Sequence, residues 1–493
     1  MPLWAAFVGP AYRARSSNMA AETLKNAYLE TIASTGNAKQ ANFYGTPGSK
    51  TLLTVGTAVG RGNYDQDGWT LITVGGTLYR LDLVLTTATA LGPIFDDGKP
   101  VSYASNGRGG EQILIVGGGF AYILDLLTGA LSAPVTLPLT FAPVMCAFID
   151  GYFLILEANT IRVWFSALED GTSWSGLDFF ARSQTSDNLV GIKVLRDKVW
   201  LFGSLTTEIF YDSGDTNNPF VPYPGSIMQE GLVSPWAVGN QGESLVWMSQ
   251  DNEGRGRVVS ATDYTPVRIS TPALDFALAS YPVDNISKAE LLVYEAEGHP
   301  FACWTIPGIT TWCFDARESA LRQEPIWHER TTYDPVTATT TAWRARGVCS
   351  TSVGILVGDT TTGAIYTLDL DTFCDACGPL RRERTSAYLS AENQWMFIQQ
   401  IELGIQAGVG AVLGDAANPV IMGEISRDGG HTWDPPVEAS LGPLGDYNAT
   451  AIWYLCGRVR SDRFVFRVTQ TDEVRTVWGP GLWIRATAGT GNL

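Results

Sequence analysis

One pattern recurs along most of this chain and restricts what it can fold into. A short apolar strand enters a turn with Gly and returns as a strand that carries a wide ring and often closes on Asp. It reads Val74-Gly-Gly-Thr-Leu-Tyr-Arg-Leu-Asp82, and again Val116-Gly-Gly-Gly-Phe-Ala-Tyr-Ile-Leu-Asp125. Phe153 to Phe165, Leu201 to Asp212, Cys303 to Asp315 and Val357 to Asp369 repeat it, and Val246–Ser249 with Arg257–Ser260 flanks the turn Gln250 to Gly256. The turn entries Val74, Val116, Leu156, Phe202, Met248, Trp304 and Val357 lie 42, 40, 46, 46, 56 and 53 residues apart. Four-stranded propeller blades repeat at roughly 40–50 residues, and each blade must pack on its neighbours to bury both faces. The spacing predicts an all-β chain in which residues 51–371 form a β-propeller of about seven blades. The rings Tyr79, Tyr122, Trp164, Phe210 or Tyr211, Trp312 and Tyr366 then pack blade on blade.

A chain of 493 residues also exceeds what one hydrophobic core usually serves, about 250–300. After Asp371 the rhythm stops. Residues 372–386 are polar and Arg-rich and read as a linker. Trp395–Ile405, Val420–Ile425, Thr450–Leu455, Phe464–Val468 and Leu482–Arg485 then alternate apolar and polar positions as half-buried strands do. Residues 387–493 are expected to form a separate β-sandwich-like domain. Residues 1–50 show no blade and are expected to be an N-terminal arm or a closing strand.

Charge narrows the function. With 33 Lys and Arg against 50 Asp and Glu, the net charge is −17, a surface that repels DNA rather than grips it. Arg clusters locally at Arg381, Arg382 and Arg384, and at Arg458, Arg460 and Arg463. These positions are either solvated loops and cross-strand ion pairs or a contact with an acidic neighbouring subunit. The start places Arg13 and Arg15 after a short apolar run, the reverse of a signal peptide. The most apolar stretch, Ile113 to Leu127, is broken by Gly and Asp125, so no stable membrane insertion is expected. Seven scattered Cys, an odd number, argue against a secreted disulfide framework and for a reducing cytoplasm or release inside a particle.

Motifs that could carry chemistry are sparse. Cys374-Asp-Ala-Cys377 is a lone C-x-x-C, half of what a structural zinc site usually draws on, and the chain has only three His (His299, His328, His431). Ser426-Arg-Asp-Gly-Gly-His-Thr-Trp433 matches the Asp-box pattern. There Asp428 can bond back to the backbone, Gly430 permits positive φ, and Trp433 anchors the next strand, so Ser426, Asp428, Gly430 and Trp433 are read as a structural turn. Asp96-Asp97, Glu169-Asp170 and the pair Asp369 and Asp371 could be acid/base pairs but read as solvated hairpin ends. No P-loop, G-x-S-x-G or H-E-x-x-H is present. The expectation is no enzyme, no cofactor and no metal site.

Phe179-Phe-Ala-Arg-Ser-Gln-Thr-Ser-Asp-Asn-Leu-Val-Gly191, Arg196-Asp-Lys-Val-Trp-Leu-Phe-Gly203 and Thr207-Glu-Ile-Phe-Tyr211 resemble the central blade of a known family. It is that of the packaged-DNA stabilisation proteins, also called tail accessory or tail hub proteins, of short-tailed bacteriophages. Glu230-Gly-Leu-Val233 occupies the place of that family's next strand. Asn26-Ala-Tyr-Leu-Glu30 with Asn42-Phe-Tyr-Gly-Thr-Pro-Gly48 resembles its opening, and Gly457-Arg-Val-Arg460 with Phe464–Val468 resembles its last strands. The resemblance implies a structural virion protein, assembled in the host cytoplasm into a homohexameric ring below the portal and its adaptor protein. Such a ring extends the DNA channel, retains packaged DNA without sequence-specific binding, and seats a tail needle, fibre or tailspike. Two other readings compete: a secreted or surface glycan-binding or sialidase-like propeller, and the tubular nozzle protein of another short-tailed phage lineage.

Overall fold

The computed structural model describes the chain except residues 1, 14–20, 33–39, 67, 108, 183, 217, 251–255, 388–393, 413 and 489–493. The turn inside Gln250 to Gly256 lies outside the described residues.

Seven antiparallel blades surround one axis, five of them separate sheets of three or four strands and the sixth and seventh continuous with larger sheets. The first runs Gly60–Gln66, Trp69–Val74, Thr77–Asp82 and Thr87–Pro93. The second has three strands, Ser102–Ser105, Gln112–Gly117 and Phe120–Asp125, extended by a bridge between Leu124 and Leu131. The third to sixth start at Pro143, Leu189, Val238 and Glu290. The innermost strands pack side by side around the axis, and Ala345–Thr351 of the seventh blade lies against Gly60–Gln66 of the first, closing the circle. Each of the seven hairpins read from the sequence is the middle pair of one blade. The rings they carry fill the spaces between blades: Tyr122, Trp164, Phe210, Trp312 and Tyr366 are buried, and Tyr79 is half-buried. This burial is why a wide ring recurs at one position of the repeat.

The seventh blade is completed by chain from the other end. Strand Gly48–Thr54 pairs antiparallel with Ala364–Asp369 as its outermost strand, so the segment before the first blade is the closing strand. Residues N-terminal to it leave the propeller and join the C-terminal domain. There one sheet runs Ala451–Arg460, Trp395–Ile405, Val477–Ala488, Gln40–Gly45 and Ala27–Ile32, with Pro2–Ala6 also on Val477–Ala488. The facing sheet contains Leu24–Lys25, Arg382–Thr385, Val465–Gln470, Val420–Ser426 and Val437–Ser440. Phe43, Ile401, Trp453, Phe466 and Trp478 meet in the core between the two sheets.

That second sheet does not end at the domain border. Leu24–Lys25 also pairs with Ile326–Asp334, the outer strand of the sixth blade, giving one ten-stranded sheet shared by propeller and sandwich. Residues 372–386 are therefore not a free linker. Cys374–Asp375 pairs with the closing strand, and Arg382–Thr385 is a fully buried strand of the shared sheet. Polar composition suggested a linker; the shared sheet takes up the backbone of Arg382–Thr385, with Glu383 paired to Lys25 and Arg384 bonded to backbone carbonyls. Glu230–Val233 is likewise no strand. It crosses between blades, with Leu232 N donating to Gly203 O and Val233 N to Met248 O.

Candidate interface surfaces

Turn chemistry decides where the charge goes. At the end of the third strand of several blades an Asp side chain accepts from backbone N–H groups two and three residues on, which closes the hairpin. Asp82 accepts from Val84 and Leu85, Asp125 from Leu127 and Thr128, Asp212 from Gly214, and Asp369 from Asp371. In an up-and-down blade the turn after the first strand lies at the same end, and there sit Glu111, Asp150, Asp197, Glu243 and Glu297. One end of the propeller is thus lined with carboxylates. Burial, and then the nearby Asp212 and Asp197, push the Asp150 carboxyl above its usual range. Between residues 48 and 371 there are 19 Lys and Arg against 35 Asp and Glu, net −16; the rest of the chain holds 14 against 15. The propeller carries nearly all of the net charge.

At the opposite end a cavity of about 740 Å³ opens at the mouth of the axis, lined among others by Lys99, Trp236, Lys288, Glu290 and Arg346. Arg346 grips Glu290 through two hydrogen bonds of 2.8 and 2.5 Å and donates to Gly98 O at 3.1 Å, tying the seventh blade to the sixth and the first. Burial pushes the Glu290 carboxyl up, and Arg346 opposes this. Arg61, fully buried, donates to the carbonyls of Lys99, Gly75 and Phe95 and pairs with Asp96 and Asp97. Asp96-Asp97 is therefore an anchor for this loop. None of these clamps was singled out in the sequence, because their members lie tens to hundreds of residues apart.

The sequence-derived candidate arginines separate. Arg382 and Arg384 are buried, which corrects their reading as surface contacts. Arg384 donates to the carbonyls of Phe7, Pro10 and Thr23, and burial lowers both guanidinium groups to about 10. Arg381 pairs with Glu383 at 3.3 Å and lies over the Tyr333 ring. Arg458, Arg460 and Arg463 do come together at one end of the outer sandwich sheet. Arg458 stacks on Trp395 at 4.2 Å, Arg460 pairs with Asp462 at 2.9 Å, and Arg463 is largely exposed.

The Asp-box residues form one turn between Val420–Ser426 and Val437–Ser440. Asp428 accepts from the backbone of His431 and Thr432 at 2.9 Å and from the Ser426 and Thr432 hydroxyls. Burial opposes the charged form there, but these hydrogen bonds hold the carboxyl below the usual carboxylate range. Gly430 has φ 93°, and Trp433 carries Arg467 on its face at 4.1 Å. Cys374 and Cys377 remain free thiols, whereas Cys303 and Cys313, opposite each other in the sixth blade, form a disulfide. Scattered spacing did not show that pair, because a cross-strand register brings it together. His299 is buried between Asp315 and Arg317, each at 2.7 Å. Among the described residues no cluster of three or more His, Cys, Asp or Glu could hold a metal ion.

Seven blades closed by an N-terminal strand, with a β-sandwich grown from one blade's edge, define a propeller-and-sandwich protein organised around packing surfaces. Family comparison makes the class specific. The bacteriophage P22 Gp10 β-propeller model matches residues 9–373, and the P22 Gp10 β-sandwich model matches residues 381–481. The chain belongs to the bacteriophage P22 Gp10 family and is a structural protein of a phage virion. Among solved structures, the N-terminal domain of Nup159 aligns with a TM-score of 0.38 and 10% identity, over 70% of this chain and 96% of that one. No curated protein matches the chain.

Proposed function

We propose that the chain builds a closed ring, six copies by the family resemblance, at the distal part of a short phage tail. The ring extends the DNA channel below the portal and its adaptor protein, retains the packaged DNA and seats a needle, fibre or tailspike. It performs no reaction and holds no cofactor.

The observation that carries this reading is the charge of the propeller in a virion protein of this family, net −16 between residues 48 and 371. A rigid wall of that sign close to DNA lets the polyanion pass without adhering and offers no sequence readout. Seven blades locked by an N-terminal closing strand supply the rigidity.

Gold-labelled antibody against this chain, viewed by electron microscopy on particles purified from a producing culture, tests the placement. Label concentrated at the distal tail is expected. Unlabelled particles, with the chain recovered in soluble fractions, would overturn it in favour of the glycan-binding propeller.

A further inference from the structure

The outer sheet of the sandwich has two unlike faces. Met396, Ile398, Ile401 and Leu403 of Trp395–Ile405 point into the core, with Trp453, Val459, Leu482 and Ile484 from its two neighbours. The alternate positions face solvent, where a half-buried strand ordinarily carries polar residues. Here they carry Trp395, Phe397, Tyr454 and Trp483, exposed by 40, 49, 65 and 55%. Register holds them together: Trp395 lies opposite Arg460, Phe397 opposite Arg458 and Thr487, and Gln400 opposite Tyr454 and Arg485. Wide rings interleaved with Arg are the composition of a protein–protein hot spot, and a monomer gains nothing from exposing them. Arg460 is paired with Asp462, so among the described residues Arg458 and Arg485 stand against a single outward carboxylate, Glu402, and the described face is positive.

We propose that this face docks on a second copy of this chain, against the carboxylate-lined end of its propeller near Asp150, Asp197 and Asp212. The proposal deepens the ring reading above and rests on it for its setting. Charge complementarity selects the occupant. The chain's net charge lies almost wholly on its propeller, Asp150 stands beside Asp212 and Asp197 with Lys198, paired to Asp197, as the nearby cation, and this one face of the sandwich presents the opposite sign beside apolar rings. Two different patches of one chain meet in this contact, so it is heterologous. Repeated with a constant rotation it closes into a ring.

The test replaces Phe397 by a photoactivatable benzoyl-phenylalanine in the full chain within a producing culture. After irradiation, cross-linked peptides are mapped by mass spectrometry in both particles and the soluble fraction. The expected product joins residue 397 to the turns holding Asp150, Asp197 or Asp212 of another copy. Arg485→Glu should cut its yield at least tenfold. So should Asp150→Asn, Asp197→Asn and Asp212→Asn together, since each change removes a charge while Asn at 212 still accepts from Gly214 N. Cross-links to a different virion protein, to the sandwich of a second copy, or no chain-to-chain product in either fraction would overturn the docking. If the chain is absent from particles, the ring reading fails separately, while the soluble fraction still decides whether these surfaces meet.

Discussion

His328 and His299 show how single side chains are decided by what surrounds them. His328 is 1% exposed, and neither of its ring nitrogens has a hydrogen-bond partner. Burial, with Arg330 and His299 adding repulsion, lowers its pKa from 6.5 to about 3. In the fold the ring stays neutral, while the unfolded chain takes up a proton below about pH 6.5. The stabilisation from a neutral His328 is therefore complete above that pH and is lost as the pH falls toward 3. Calorimetric midpoints are expected to drop between about pH 7 and 4.5, and to drop less in His328→Leu. Equal pH slopes in both proteins would contradict this origin. His299 takes the opposite solution: Nδ1 bonds Asp315, Nε2 accepts from Arg317, and Asp315 also caps the helix Ala316–Arg322 through Glu318 N. A buried His–Asp contact of this kind serves the join between the sixth blade and its helix.

At the scale of elements, the closing strand Gly48–Thr54 is where the chain depends most on one small residue. A Cβ at Gly48 would stand 2.1 Å from the Thr372 carbonyl oxygen and 2.7 Å from that of Cys374, both backbone atoms that cannot swing aside. Gly48→Ala must push apart the strand that locks the seventh blade, a cost of about 1–3 kcal/mol. Amide hydrogen exchange across Ala364–Asp369 should accelerate by one to two orders of magnitude on that scale. Unchanged protection there would show that the strand does not hold the blade. The other recurrent element, the Asp-closed hairpin, was readable along the sequence because its bonds span only two or three residues. The Asp box was legible for the same reason. The partners of Arg61, Arg346 and Arg384 were not, since each spans blades or domains.

For the whole molecule, the ten-stranded sheet makes propeller and sandwich one body. Arg382–Thr385 lies within it, flanked by Leu24–Lys25 on one side and Val465–Gln470 on the other. Neither half can leave without exposing buried strand edges and the core that the N-terminal strands share with the sandwich. Thermal unfolding should accordingly give one transition, with far-ultraviolet circular dichroism and Trp fluorescence coincident. Two resolved transitions would mean that the sheet is not a mechanical link. The same continuity bears on assembly, because a rigid sandwich presents its aromatic face at a fixed angle to its own propeller, as a closed ring requires.

The sequence by itself determined what is local or periodic. Strand, turn and ring recur at blade spacing, Asp recurs where a hairpin must close, and the C-terminal strands alternate, so the propeller, the sandwich and the Asp-box turn could all be read in order. Tertiary structure decided what depends on distant pairing. It gave the N-terminal strands to the sandwich and the closing strand to the seventh blade, and it turned an Arg-rich stretch that looked like a linker into a buried strand. It also left one face of the alternating C-terminal strands unpaired. A period of two shows that a strand has two faces, but only the packing of the other sheet decides which face is core and which is left for a partner.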